Sequence, residues 1–219
     1  MFLAVTLPIS GCSHTDEARI DGLPAGSDVL ARSASAMASV RYLHFTLDAV
    51  GSSGNESVRH VEGNVSREGS AEGRATIDRS GVVSDIEFVI VAQSLYIKGE
   101  DGKYAELPLS LAAAVYDPSH LLGDSGFARL LRTATNARTM AREVIYGIDA
   151  FLIAFDSDDP ALTAILPGLT TVRSGRVWVD AANYRIVQGE FTFPGLSGPV
   201  TLTIICTAYD IPVPIARPG

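Results

Sequence analysis

The side chains in this sequence that are able to do chemistry are few, and their spacing argues against most of it. Gly123-Asp124-Ser125-Gly126 has the form of the tetrapeptide around a serine nucleophile. Such a nucleophile needs a histidine and an acid converging on it in space, and Phe127 stands where a protease would carry a further glycine. Asp124 or Ser125 capping a following helix accounts for the stretch. His14, His44, His60 and His120 show no metal-ligand spacing. His44 and His60 fall on the polar phase of predicted strands, and His120 follows Asp117-Pro118 at a turn. Asp156, Asp158 and Asp159 lack the order and the closing glutamate of a calcium loop and read as helix caps. No catalytic group, metal or cofactor is expected.

The two cysteines behave differently from each other. They are too few for a disulfide framework. Cys206 lies on an apolar strand face, which predicts a buried, inert thiol. Cys12 closes the apolar run Met1 to Gly11, and Ile9-Ser10-Gly11-Cys12 resembles the lipobox of bacterial lipoproteins. There the thiol is alkylated by diacylglycerol and the preceding peptide is removed. The run is too short to span a bilayer and lacks a positive flank. Residues 13 to 26, with Thr15, Asp16, Glu17, Asp21, Gly22 and Pro24, read as a flexible leash. The expected organisation is a signal remnant over 1–11, a lipidated Cys12 with its tether over 12–26, and one domain over 27–219. Two or more acyl chains at Cys12 would hold the protein on the membrane. A net charge of −8 and a pI near 4.9 exclude a nucleic-acid partner and a polybasic grip on anionic lipid.

What positions the remaining residues is a sheet. Ile86 to Val91 and Leu95 to Ile97 meet at Ala92-Gln93-Ser94, which predicts a tight hairpin. Side chains alternate along a strand, so Ile86, Phe88 and Ile90 share a face. The same alternation puts Leu43, Phe45 and Leu47 on one face, then Val61, Gly63 and Val65, then Ala75 and Ile77. It returns late in the chain with Val200, Leu202, Ile204 and Cys206. The short connections make this an antiparallel meander. A helix is predicted from Ser27 or Asp28, striped by Val29, Leu30, Ala34 and Met37. Others are predicted over Leu107 to Val115, after Ser125 with Phe127, Leu130 and Leu131, and from Asp158 or Asp159 to Pro167. Strands are expected at Val144–Tyr146, Phe151–Phe155, Val177–Asp180 and Tyr184–Phe193, with a turn at Gly147-Ile148-Asp149. Helices that interrupt a sheet rather than alternate with strands indicate an α+β class.

Several of these segments, in order, resemble the LppX/LprA/LprF/LprG family of mycobacterial lipoproteins. They are Leu95-Tyr96-Ile97, Val115-Tyr116-Asp117-Pro118-Ser119-His120-Leu121-Leu122, Asp124-Ser125-Gly126-Phe127 with Leu130-Leu131, Val144-Ile145-Tyr146-Gly147 and Val177-Trp178-Val179-Asp180. The likeness runs from about Ser27 to Pro214. Where family members usually carry Trp-Gly in the last strands, this chain has Tyr209-Asp210. The resemblance implies a curved antiparallel half-barrel sheet with helices packed on its concave face around an apolar cavity. It implies a non-catalytic lipoprotein of the cell envelope that carries multi-acylated lipids or lipoglycans as cargo. Such a protein would be anchored through Cys12 on the extracytoplasmic face of the cell membrane and would be a monomer. A membrane lipid transporter is the expected partner for hand-over. The lining would be Phe45, Leu47, Ala75, Ile77, Ile86, Phe88, Ile90, Phe127, Leu130 and Leu131. His120 could hydrogen-bond a lipid headgroup at the cavity mouth, although capping of the local backbone is the commoner role of such a residue. From periodicity alone these faces could equally fill a closed core, which would make the chain a structural or partner-binding lipoprotein without cargo.

Overall fold

The computed structural model of the chain describes residues 22–51, 56–109, 121–123, 126–158, 174–195 and 198–219. In chain order the elements are α1 (Gly26–Ser39), β1 (Tyr42–Val50), β2 (Glu56–Ser66), β3 (Ala71–Arg79), β4 (Val82–Val91), β5 (Ser94–Lys98) and β6 (Tyr104–Pro108). There follow α2 (Phe127–Thr133), β7 (Thr135–Ile145), β8 (Ile148–Asp156), β9 (Ser174–Asp180), β10 (Ile186–Gly195) and β11 (Gly198–Thr207). All eleven strands form one open, curved, antiparallel sheet in the order β6-β5-β4-β3-β2-β1-β11-β10-β9-β8-β7. The first half of the chain lays strands outward from β1, and the second half works inward from β7. The last strand then pairs with the first, placing Phe45 opposite Cys206 and Leu47 opposite Ile204.

The predicted hairpin between β4 and β5 is present, with Val91 opposite Ser94. Its two turn residues, Ala92 and Gln93, both have positive φ, 50° and 66°. That is the turn whose twist matches the strands, although glycine or asparagine would adopt it with less strain. The β7–β8 turn has the same form but sits earlier than the expected Gly147-Ile148-Asp149. Its central residues are Tyr146 and Gly147, φ 52° and 79°, because both must be left-handed and Gly147 suits the second position. Ile148 and Asp149 belong to β8.

Three other expectations are corrected. Helix α1 begins at Gly26 rather than at Ser27 or Asp28, and Ala25 before it provides no side-chain cap. Packing sets this start: a Cβ on Gly26 would lie 2.6 Å from the Arg138 backbone nitrogen. The Thr139 hydroxyl fastens the same corner by donating to the Pro24 carbonyl at 2.7 Å. Leu107 stands in β6 opposite Leu95, not in a helix, and residues 110–120 of that segment lie outside the described residues. Residues 135–143 form most of β7, an edge strand whose two register irregularities against β8 erase the alternation that marks a strand. Helix α2 starts at Phe127 with Gly126 before it. The expected caps at Asp124 and Ser125, and the predicted helix after Asp158 or Asp159, fall on residues not described.

Strands β2 and β3 meet at a pair of glycines. Gly63 lies opposite Gly73, and a Cβ on Gly73 would come within 2.2 Å of the Glu62 carbonyl oxygen. No side chain fits there. A Gly73→Ala variant should therefore lose about 3 kcal/mol of stability, read as a lower denaturant midpoint at unchanged slope.

Candidate functional site

One face of the sheet is built of apolar rows that run across strands. Leu43, Val65, Ala71, Ile90 and Leu95 form one row, read from the pairings of β1 through β5. The next is Phe45, Gly63, Gly73, Phe88 and Ile97, so two glycines stand between two phenylalanines. A third holds Leu47, Val61, Ala75 and Ile86 and continues the other way through Ile204, Gly189, Val177 and Ile153. Alternation within each strand produces this face, and antiparallel register aligns it between strands.

The predicted lining residues meet on this face. Phe45 and Leu47 come from β1, Ala75 and Ile77 from β3, and Ile86, Phe88 and Ile90 from β4. Phe127, Leu130 and Leu131 come from α2. All but Ile86 are at most 4% exposed, and all but Ile86 belong to one continuous core. Ile86 is half-buried and packs against it. The same core takes in Val29, Leu30, Ala34 and Met37 of α1, which the sequence showed as a stripe without a role. It also takes in residues absent from the predicted lining, notably Phe155, Val177, Phe191, Leu202 and Ile204. The alternation from Val200 to Cys206 was the signal for the last two. Phe127 reaches across to Phe191 with ring centres 6.5 Å apart, and Phe155 meets Phe191 edge-on at 6.5 Å. These rings lie over Gly175, where a Cβ would come within 2.7 Å of Phe155.

Among the described residues, the buried polar side chains are Ser33, Ser66, Thr139 and Ser157, and no buried side chain is charged. The opposite face carries the charge. Arg59 bonds Asp78 at 2.8 Å and Lys98 bonds Glu87 at 2.8 Å, whereas Arg142 bonds Asp149 at 2.6 Å on the core side of β7 and β8, where Arg142 stands opposite Phe151. Hydrogen bonds from these cations hold Asp78, Glu87 and Asp149 below the usual carboxylate range. His44 pairs with Asn64 at 2.9 Å and His60 with Asp48 at 2.7 Å, on the polar phase where the sequence placed them. A groove of about 490 Å³ on this side is lined by Arg138, Asp156, Arg176 and Glu190 among others. One of about 370 Å³ has His44, Glu62, Glu72, Arg74 and Glu87 among its walls. Charged walls of this kind suit water and ions, not hydrocarbon. No cluster of three or more His, Cys, Asp or Glu among the described residues is arranged to hold a metal.

Trp178, central to the resemblance, points away from the main core. With Ala150 and Val187 it forms a second small cluster, and its indole nitrogen donates to Glu143 at 2.5 Å. Tyr209 and Asp210, where the chain departs from the usual Trp-Gly, have a clear structural account. The Tyr209 hydroxyl donates to the Ile186 carbonyl at 2.5 Å, and its ring lies under Arg185. Asp210 adopts φ 58°, the left-handed conformation a glycine would favour. It is held there by the Arg41 backbone NH, 2.8 Å from its carboxylate, and by an ion pair with Arg185. Cys12, His14 and His120 lie outside the described residues.

Cys206 is buried and its thiol is pushed up by that burial from 9.0 to about 12. Its expected inertness is the result. The folded protein keeps this proton where the unfolded chain has lost it. The thiol's contribution to stability is thus complete below pH 9 and is lost as the pH rises towards 12. Between those limits Cys206→Ala should flatten the pH dependence of unfolding by about 1 kcal/mol per pH unit, measured by urea titration.

The sequence model of a family described as LppX_LprAFG lipoprotein matches residues 25–213. A lipoarabinomannan carrier protein LprG from Mycolicibacterium smegmatis is 28% identical over 205 residues, covering 90% of this chain and 85% of the relative. Another of that name from Mycobacteroides abscessus is 24% identical over 218 residues, covering 97% and 92%. Among solved structures, LprF from Mycobacterium bovis aligns with a TM-score of 0.76 at 19% identity, over 89% of this chain and 97% of that one. LppX from Mycobacterium tuberculosis aligns with a TM-score of 0.64 at 16% identity, over 87% and 97%. These two likenesses establish a shared fold.

Proposed function

The chain belongs to the LppX_LprAFG lipoprotein family, and on that premise we propose that it binds multi-acylated lipid or lipoglycan and carries it across the cell envelope. In this reading α1 and α2 pack on the concave side of the sheet, and the cargo lies between them and the apolar rows. The observation that carries the reading is the composition of that wall: row after row of aliphatic and aromatic side chains, with no buried charge among the described residues. Each methylene taken from water contributes about 0.8 kcal/mol, so one long acyl chain supplies roughly 10 kcal/mol before the costs of binding. Shape and apolarity suffice, and no catalytic group takes part. The relatives named as lipoarabinomannan carriers support a lipid or glycolipid ligand. Acyl chains on Cys12 would hold the domain, as a monomer, at the outer surface of the cell membrane. A membrane transporter is the proposed partner for loading or release.

Ala75 decides between this reading and a filled core. It lies 3% exposed between Val61 and Ile86 in the third row. Tryptophan there, or at Ile77, should reduce co-purifying lipid several-fold while leaving the melting temperature within a few degrees. The measurement is mass spectrometry of organic extracts from non-acylated protein made in an actinobacterial host. A packed core would instead be overfilled and destabilised by about 1–3 kcal/mol or more. Full lipid load in both variants would show that the face has been misassigned.

A further inference from the structure

Three exposed valines share one end of the sheet. Val50 closes β1 at 71% exposure, and Val82 and Val83 open β4 at 70% and 61%. The register brings these strand ends together. Asp48 of β1 pairs with His60 of β2, and further along β2 Ser57 pairs with Asp78, which pairs with Val83. The β3–β4 turn is made by Ser80 and Gly81, both with positive φ, and does not itself call for valines. The chain also enters the domain at this end. Pairings run from Val50 through Thr201, Thr192, Ser174 and Asp156 to Thr135 in one row. Helix α1 starts against that end of β7, with Gly26 on the backbone of Ala137 and Arg138 and the Pro24 carbonyl accepting from Thr139. It then runs to the other end, where the Met37 sulfur lies 3.6 Å from the Tyr209 hydroxyl. Residues 13–25 therefore join Cys12 to the end that carries the valines, across at most about 50 Å.

We infer that this end of the sheet faces the membrane, with Val50, Val82 and Val83 seated at the boundary between lipid headgroups and acyl chains. The inference rests on the Cys12 anchoring proposed above and adds the orientation of the domain. A net charge of −8 provides no general attraction to anionic lipid, so the contact has to be apolar. The tip suits such a contact. Its Asp78 carboxylate is already held by Arg59 and by the Gly81 backbone NH. Arg79, opposite Val82, has a long apolar stem that lets its charge stay at headgroup level. The other end exposes Val144 and Tyr146 as well, but the chain from Cys12 does not arrive there, and the Tyr146 hydroxyl is taken by Gln188. Directly behind the valines lies the margin of the apolar wall, with Ile77, Phe193 and Val200 all buried. In this orientation that margin is turned toward the bilayer from which cargo comes.

The test uses the full acylated chain in vesicles of phosphatidylethanolamine and phosphatidylglycerol. A polarity-sensitive thiol dye is attached at Val83→Cys or, at the far end, at Tyr146→Cys, a position exposed to the same degree. Acylation occupies the Cys12 sulfur and Cys206 is buried, so neither takes the dye. On protein that floats with the vesicles, the dye at 83 should shift to the blue and lose most of its emission to a nitroxide on the lipid. The dye at 146 should keep its aqueous emission. Val82→Asp together with Val83→Asp should return a dye at Val50→Cys to aqueous emission, with an unchanged melting temperature to show that the variant folds. An aqueous dye at 83, a quenched one at 146, or a dye at 50 that stays quenched beside the two aspartates overturns the inference and leaves the anchoring intact. Protein that does not float with the vesicles overturns the anchoring, and this inference with it.

Discussion

An open sheet of eleven strands has two faces and two edges, and water tolerates only one of the faces. The inner rows are apolar from β5 to β8, so this area has to be covered by something that is not water. The two described helices contribute short buried stripes, seven residues long in the case of α2 as a whole. The rest of the structure answers to that requirement. The opposite face pairs its charges across neighbouring strands, as in Arg74–Glu87–Lys98, and presents a solvated surface that asks for no cover. Such exposed pairs add little stability individually. They leave that side polar around β3 to β5, while a small apolar cluster around Trp178 stands on the other half.

Within the sheet, some strands approach each other too closely for a side chain to stand between them. At Gly63 and Gly73 each missing side chain admits the carbonyl of the facing strand. Phe45 and Phe88 flank the two glycines, so the row stays apolar. A second device of the same kind stands on the other half, where the Phe155 and Phe191 rings fold over Gly175. The seam between the halves is β1 with β11, joining residues more than 150 positions apart, such as Phe45 and Cys206. Contacts of that sequence separation form late, after much loop-closure entropy has been lost, which makes a sheet of this order slow to assemble.

Tyr209-Asp210 shows how a left-handed position can be held without glycine. A left-handed residue follows β11, and aspartate occupies it without glycine's freedom because Arg41 and Arg185 hold its carboxylate. Tyr209 keeps an aromatic body in the core and spends its polar end on the Ile186 carbonyl.

By itself, the sequence determined which faces are apolar. Period-two alternation is a local property, so Phe45 and Leu47, Ala75 and Ile77, and Val200 to Cys206 could be assigned to the inside from their neighbours alone. Charge likewise argues against a nucleic-acid partner, and two cysteines are too few for a disulfide framework. Only the tertiary structure decided what was not local. The start of α1 follows from Gly26 meeting β7, and β7 itself was hidden because its bulges break the alternation and its edge position leaves it polar. The pairing of β1 with β11 has no trace in either strand's own residues, since any apolar strand of matching length would satisfy both. The helical stripe of Val29, Leu30, Ala34 and Met37 places Ser33 on the buried side of α1 and Ser35 off it, but it does not say what that side packs against. The core that wraps Ser33, while Ser35 faces water, exists only once the helix is laid against the sheet.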